Sequence, residues 1–108
     1  MLAPNNRRAR EPRKAVRRDG LIICSEGKFV APCTITSISR TGLGLTAVPP
    51  KLPDQFVVLD VAASIVFEGK VVRRNGVNCG LRIKSSFSMR QLPERLAFIA
   101  GIRRPESR

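Results

Sequence analysis

Apolar residues along most of this chain occur in short runs with a period of two, which is typical of half-buried β-strands. Six such runs follow one another, at residues 21–24, 29–39, 42–47, 56–60, 63–73 and 77–84. In the second run, Cys33 and Ile35 fall on one face and Thr34 and Thr36 on the other. The pattern therefore predicts an all-β fold with six strands.

Residues that favour turns separate the predicted strands. Residues 25–28 contain a glycine that can supply a positive φ, and residues 48–53 contain three prolines, which cannot join a central strand. Asn75-Gly76 is typical of a type I′ hairpin. Because no helix intervenes, we expect a six-stranded antiparallel barrel, an architecture that leaves no sheet edge exposed.

The hydrophobic period changes near the C-terminus, where residues 92–100 (LPERLAFIA) predict a short α-helix. Pro93 suits its first turn and Gly101 suits its C-cap. We expect this C-terminal α-helix to cover one opening of the barrel. The predicted organisation is a flexible basic N-terminal arm at residues 1–18, a barrel domain with its helix at residues 19–101, and a basic tail at residues 102–108.

The charge of the chain is strongly positive, with 20 Lys and Arg against 8 Asp and Glu and a net charge of +12. Six Arg and one Lys lie between positions 7 and 18. A planar guanidinium binds phosphate in bidentate fashion, pairs with a guanine edge and stacks on a base. The arm is therefore suited to an anionic ligand, although a solvated cationic tail is the alternative.

The remaining composition argues against catalysis and metal binding. The chain has no His, and its carboxylates are scattered without an acid–base spacing. Cys24, Cys33 and Cys79 lie in apolar surroundings without CxxC spacing, which indicates buried reduced thiols and a reducing compartment. From these absences we expect a protein that is not an enzyme and needs no metal or cofactor. No apolar run is long enough to span a membrane, so we expect a cytoplasmic protein.

Three motifs in a fixed order resemble the PilZ domain, a bacterial receptor module for cyclic di-GMP. The arm contains Arg13-Lys-Ala-Val-Arg17, which is similar to the family's Arg-x-x-x-Arg. Ser37-Ile-Ser39-Arg-Thr-Gly42 is similar to its Asp/Asn-x-Ser-x-x-Gly turn. The hairpin around Asn75-Gly76 ends in a Gly-apolar-x-apolar strand, as in the family. The resemblance covers residues 7–100.

The resemblance implies a six-stranded barrel that binds cyclic di-GMP, with an arm that folds over the ligand and a relay to an effector protein. The arginines would clamp phosphate and guanine, and the turn would seat a guanine edge. The implied ligand-binding residues are Arg10, Arg13, Arg17, Ser37, Ser39 and Gly42.

The sequence departs from the family pattern at two places. Ser37 occupies the Asp/Asn position, and a hydroxyl offers a guanine fewer hydrogen bonds than a carboxylate or amide does. Arg13 and Arg17 match the four-residue step, but the distance to the first predicted strand favours Arg13 as the second arginine. Position 9 is alanine, so Arg8 or Arg10 would then take the first role.

Two other functions fit the same fold. The first is a divergent protein-interaction module that has lost nucleotide binding through the change to Ser37. The second is a nucleic-acid-binding barrel, which the charge favours but the absence of Trp and Tyr opposes, so we do not expect it. Arg73 and Arg74 are either a second phosphate contact or an ordinary charged flank of the hairpin.

Overall fold

The computed structural model describes residues 13–102. Six antiparallel strands form a closed sheet in the order β1-β2-β3-β6-β5-β4, which confirms the predicted six-stranded architecture. The strands are β1 Lys14–Cys24, β2 Phe29–Ile38, β3 Gly42–Thr46, β4 Gln55–Asp60, β5 Ile65–Asn75 and β6 Asn78–Ser88. Arg10 with the rest of the arm before residue 13, and the predicted tail after residue 102, lie outside the described residues.

The interior of the closed sheet is filled by alternate side chains from all six strands. Ile22, Ile35, Leu43 and Val58 have no solvent exposure, and they pack in one cluster with eight further buried residues. Cys24, Cys33 and Cys79 belong to this cluster as free thiols, as the sequence predicts. The period of two thus places one face of each strand in a common core.

A second apolar layer lies on the outside of the sheet. Leu21 and Ile23 of β1, Leu59 of β4 and Val66 of β5 pack against Leu96 and Ile99 of the C-terminal segment. This explains the uninterrupted apolar run at residues 21–24: these strand residues are buried on both faces.

The C-terminal segment Glu94–Gly101 is a 3₁₀ helix, so the prediction of an α-helix was wrong. Its buried residues, Leu96 and Ile99, are three positions apart, a spacing that aligns on one side of a 3₁₀ helix. The segment covers the outer wall of the sheet rather than an opening, because its apolar partners are outward-facing strand residues. Ile102, not Gly101, is its C-cap.

The first strand begins at Lys14, seven residues earlier than the sequence pattern indicates. Residues 14–18, which the sequence pattern places in a flexible arm, pair with β2 and belong to the sheet. Val16 packs against the core, and the Arg18 guanidinium donates to the buried Asp60 carboxylate at 2.8 Å. These two contacts hold residues 14–18 in the sheet, although their polar, basic sequence does not predict a strand.

The β5–β6 hairpin turns one residue later than predicted. Asn75 pairs with Asn78, so Gly76 and Val77 form the loop. Gly76 has a φ of 63°, and Val77 is not among the positive-φ residues. A single positive φ at the first central position matches a type II′ turn instead of type I′.

Within residues 13–102, we find no helix with the length and hydropathy of a membrane span. The same part of the chain holds no group of His, Cys, Asp and Glu that could bind a metal ion.

Candidate functional site

A row of small residues crosses the outer face of the sheet over four strands. Ala15 of β1 is opposite Ser37 of β2, Ser37 is opposite Gly44 of β3, and Gly44 is opposite Gly80 of β6. Gly44 and Gly80 each lie between two core residues on their strands, so they belong to the outward positions. The row is a floor of small residues, in which Gly44 is partly exposed and Gly80 is buried beneath the Arg73 side chain.

This floor lies in a cleft of about 530 Å³ with an arginine on each side, Arg13 and Arg73. Polar groups provide much of the remaining lining. The other lining residues are Thr36, Leu45, Thr46, Asn75, Asn78 and Cys79.

Arg13 is held at the edge of the floor by Ser37. Its Nη1 donates to Ser37 Oγ at 2.8 Å across 24 residues of sequence. Its Nη2 lies 3.4 Å from where a Cβ on Gly42 would be. A guanidinium has five N–H donors, so one bond to Ser37 orients Arg13 and leaves further donors for a ligand.

Ser39 and Gly42 close the turn between β2 and β3. Ser39 N–H donates to the Gly42 carbonyl at 2.9 Å, and Gly42 N–H donates to Ser39 Oγ at 3.0 Å. Gly42 does not have a positive φ. Its role is spatial instead, because a Cβ there would lie 3.2 Å from the Leu81 carbonyl oxygen and close to Arg13. Ser39 therefore shapes the turn, and Gly42 makes room for Arg13.

Gly44 is a site residue that the sequence analysis missed. The register of β2 and β3 shifts between Ile35 and Ser37. Both Ser37 and Thr36 consequently approach Gly44: a Cβ there would lie 2.5 Å from Ser37 Oγ and 3.2 Å from Thr36 Oγ1. Only a glycine allows the Ser37 hydroxyl to remain beside Arg13. The alternation Leu-Gly-Leu along β3 was the available signal.

The two hairpin arginines, Arg73 and Arg74, have different surroundings. A register shift between Val71 and Arg73 places Arg73 opposite Gly80, and its guanidinium nitrogens lie 3.9 Å from a Cβ position on that glycine. Arg74 donates to the Pro49 carbonyl oxygen instead. Arg73 is thus the arginine of this pair that lines the cleft.

The predicted ligand-binding residues are only partly assembled in this region. Arg13 and Ser37 line the cleft, and Ser39 and Gly42 form the adjoining turn. Arg17 is exposed on β1 and does not line the cleft. Arg10 lies outside the described residues.

A second cleft, of about 580 Å³, lies between strands β4–β6 and the C-terminal segment. The arginine of this cleft is already paired, because Arg95 makes two hydrogen bonds to the Glu68 carboxylate, one of them at 2.9 Å. The hydrogen bond from Arg95 lowers the pKa of Glu68. Lys84 donates to Gln55 at 3.0 Å in the same cleft. The first cleft is therefore the better receptor for an anion.

The fold and the arginine-flanked cleft define a small β-domain with a candidate ligand site on its outer wall. The PilZ domain family profile matches residues 6–100. The chain therefore belongs to the PilZ domain family.

A solved structure shows the same fold. It is the crystal structure of the PilZ domain of CeSA from a cellulose-synthesizing bacterium, which matches this chain with a TM-score of 0.53 at 12% sequence identity. The match covers 84% of this chain and 94% of the other. No curated protein matches this chain.

Proposed function

We propose that this protein is a cyclic di-GMP receptor without catalytic activity. The observation that carries the proposal is the hydrogen bond that holds Arg13 beside Ser37, at the edge of the floor that Gly44 and Gly80 continue. Membership of the PilZ family, whose domains generally bind this ligand, supports it. The order of motifs in the chain is also that of the family.

The chemistry of the cleft matches a cyclic dinucleotide in two ways. Glycine backbone lets a planar base approach closely, which side chains would prevent. Arg13 and Arg73 place cations on both sides of the floor, where they can bind phosphate or a guanine edge through several N–H donors. Ser37 offers a hydroxyl that already accepts from Arg13 and can still donate to the ligand.

Signal relay would follow from ordering of the chain around the ligand. In this proposal, Arg10 and the residues before it close over the bound nucleotide, and Arg17 adds charge at the rim of the site. The altered surface is then presented to an effector protein in the cytoplasm. Arg13 is common to both registers of the arginine motif, so the proposal depends most on this residue.

The test is calorimetric titration with cyclic di-GMP at near-physiological salt. We expect saturable binding, a loss of more than about tenfold in affinity for Arg13→Ala, and a much smaller loss for Arg17→Ala. Arg90→Ala, an exposed arginine beyond β6, controls for the change in net charge. Absence of binding at high micromolar ligand would overturn the proposal, and equal effects of all three variants would mean that the charge acts diffusely.

A divergent interaction module is the second candidate, and Ser37 in the Asp/Asn position is the observation that favours it. In that case an effector protein binds the domain with the same affinity with and without cyclic di-GMP. Calorimetry without binding, together with nucleotide-independent capture of a motility or polysaccharide-synthesis protein, would support this function.

A further inference from the structure

Two like charges face each other directly beside the small-residue floor. Arg82 of β6 is the cross-strand partner of Lys70 of β5, and Arg82 is also the partner of Gly42 on β3. Both cationic side chains are exposed. Like charges at directly opposed positions destabilise a sheet, so the pair is costly unless an anion bridges it.

The rest of the row supplies no such anion. Lys70 is followed across the sheet by Gln55, so the row from Gly42 to Gln55 contains no carboxylate. Neither the Arg82 nor the Lys70 side chain forms an ion pair or hydrogen bond with another residue in the range 13–102.

The neighbouring outward charges on these two strands have side-chain partners. Glu68, two positions before Lys70 on β5, is paired with Arg95. Lys84, two positions after Arg82 on β6, donates to Gln55. Arg82 and Lys70 differ from these two neighbours in having no such partner among the described residues.

Gly42 connects this pair to the cleft. Arg13 approaches Gly42 from the β1 side, with Nη2 3.4 Å from the position of a Cβ, and Arg82 lies opposite Gly42 on the β6 side. Gly42 itself contributes no side chain between them. In the strand register, Arg82 and Lys70 thus follow Gly42 on the side of the floor where Arg13 lies, although neither residue lines the cleft itself.

We propose that Arg82 and Lys70 form an oxyanion subsite that binds a phosphate group of the nucleotide held on the floor. An anion bridging the two cations removes their mutual repulsion and gains charge-assisted hydrogen bonds. The identity of the nucleotide rests on the function proposed above, but the subsite itself does not. The ligand chemistry is a phosphate oxyanion, either part of a nucleotide or free.

The experiment compares two double variants with the same change in net charge. Arg82→Gln/Lys70→Gln removes the subsite, and Lys28→Gln/Arg90→Gln removes exposed charges just before β2 and just after β6. Both are titrated with cyclic di-GMP by calorimetry. Inorganic pyrophosphate is the second probe, followed by NMR at the amides of Gly42, Lys70 and Arg82. All four replaced side chains are exposed, so both variants are expected to fold.

We expect the Arg82→Gln/Lys70→Gln variant to bind cyclic di-GMP about tenfold more weakly and to lose saturable pyrophosphate shifts, while the control changes by less than about twofold. Equal behaviour of the two variants towards pyrophosphate would overturn the subsite, even if cyclic di-GMP binds. If wild-type protein binds pyrophosphate at these amides but not cyclic di-GMP, the subsite stands and the nucleotide assignment fails.

Discussion

Gly44 of β3 and Gly80 of β6 are direct cross-strand partners, so two positions without a side chain meet in the cleft floor, and Arg73 lies over the second. They differ in the space above them. A Cβ on Gly44 would collide with the Ser37 hydroxyl at 2.5 Å, whereas a Cβ on Gly80 would make ordinary contacts of 3.8–3.9 Å with Arg73. Gly44→Ala therefore tests the positioning of Arg13, and Gly80→Ala tests the access of a ligand to the floor.

Gly44→Ala is expected to weaken cyclic di-GMP binding by about tenfold. The new methyl group forces the Ser37 side chain to rotate, and Arg13 then loses its hydrogen bond. The cost in free energy of unfolding is small, about 1 kcal/mol or less, because a hydroxyl can rotate without moving backbone. Calorimetry and urea unfolding provide the two measurements.

Gly80→Ala is the matched variant. It should raise the free energy of unfolding by about 0.5 kcal/mol, because Gly within a strand is less favourable than Ala. It should still weaken ligand binding, because the methyl group takes up space between the backbone and Arg73 that a base would need. Gly101→Ala, with no atom within 4 Å of its Cβ position, serves as the neutral control. Unchanged affinity in Gly80→Ala would show that the ligand does not lie on the floor.

Ser37→Asp is expected to strengthen cyclic di-GMP binding by about fivefold to tenfold, or ~1 kcal/mol. A carboxylate can accept two hydrogen bonds from a guanine edge while still pairing with Arg13. Ser86→Asp is the control, because it adds the same charge at an exposed position near the C-terminal end of β6, whereas Gly80 of the floor lies near the N-terminal end. Calorimetry distinguishes the two variants. Weaker binding in Ser37→Asp would mean that an ion pair with the new carboxylate withdraws Arg13 from the ligand.

The number of strands and their core positions could be predicted because local pattern and burial agree along most of the chain. The alternation of apolar and polar residues by itself predicts which face of a strand is buried. The apolar residues Cys33, Ile35, Leu43 and Leu45 are all buried as expected. The start of β1 at Lys14 could not be predicted in this way. This part of β1 is stabilised by the ion pair between Arg18 and Asp60, which are 42 positions apart in the sequence, so no local pattern reveals it.

Only those residues of the candidate site that belong to one continuous sequence motif could be predicted. The SISRTG segment identified Ser37, Ser39 and Gly42, but Gly44 becomes part of the site through a register shift between β2 and β3. Arg73 joins through a second shift, between β5 and β6. Such bulges depend on pairing between strands, so composition and spacing within one strand do not reveal them.

Arg18→Gln is expected to destabilise the fold more than Asp60→Asn does. Asp60 is 1% exposed, and without Arg18 its carboxylate keeps one side-chain hydrogen bond, accepted from the Ala63 N–H at 3.2 Å. Removing one partner of a fully buried ion pair costs about 3–5 kcal/mol, and the one-third exposure of Arg18 reduces this to about 2–3 kcal/mol.

Asp60→Asn keeps a side-chain oxygen that can accept from the Ala63 N–H, and water can reach the Arg18 guanidinium that is left unpaired. We therefore expect a loss of about 1–2 kcal/mol in the free energy of unfolding. Urea unfolding of both single variants and the double variant Arg18→Gln/Asp60→Asn forms a double-mutant cycle. Additive effects in that cycle would show that the ion pair does not anchor β1.

The buried thiols make the stability of the fold depend on alkaline pH. Burial, with a smaller contribution from Cys79, raises the pKa of Cys33 to about 12. An unfolded cysteine titrates near ~8.5. Between these values, the unfolded chain releases a proton that the folded chain retains. The stability contributed by this group is therefore complete below ~8.5 and is lost as pH rises towards the folded value.

We expect the free energy of unfolding to fall by up to ~1.4 kcal/mol per pH unit within this window because of Cys33. Cys33→Ala leaves a small cavity that lowers stability equally at every pH, so its stability should decline less steeply than that of the wild type. Urea unfolding at about pH 8, 9 and 10 measures both slopes across the lower part of the window. All other titratable groups are the same in both proteins, so their contributions cancel in the comparison. Parallel slopes would show that Cys33 titrates in the folded protein as it does in the unfolded chain.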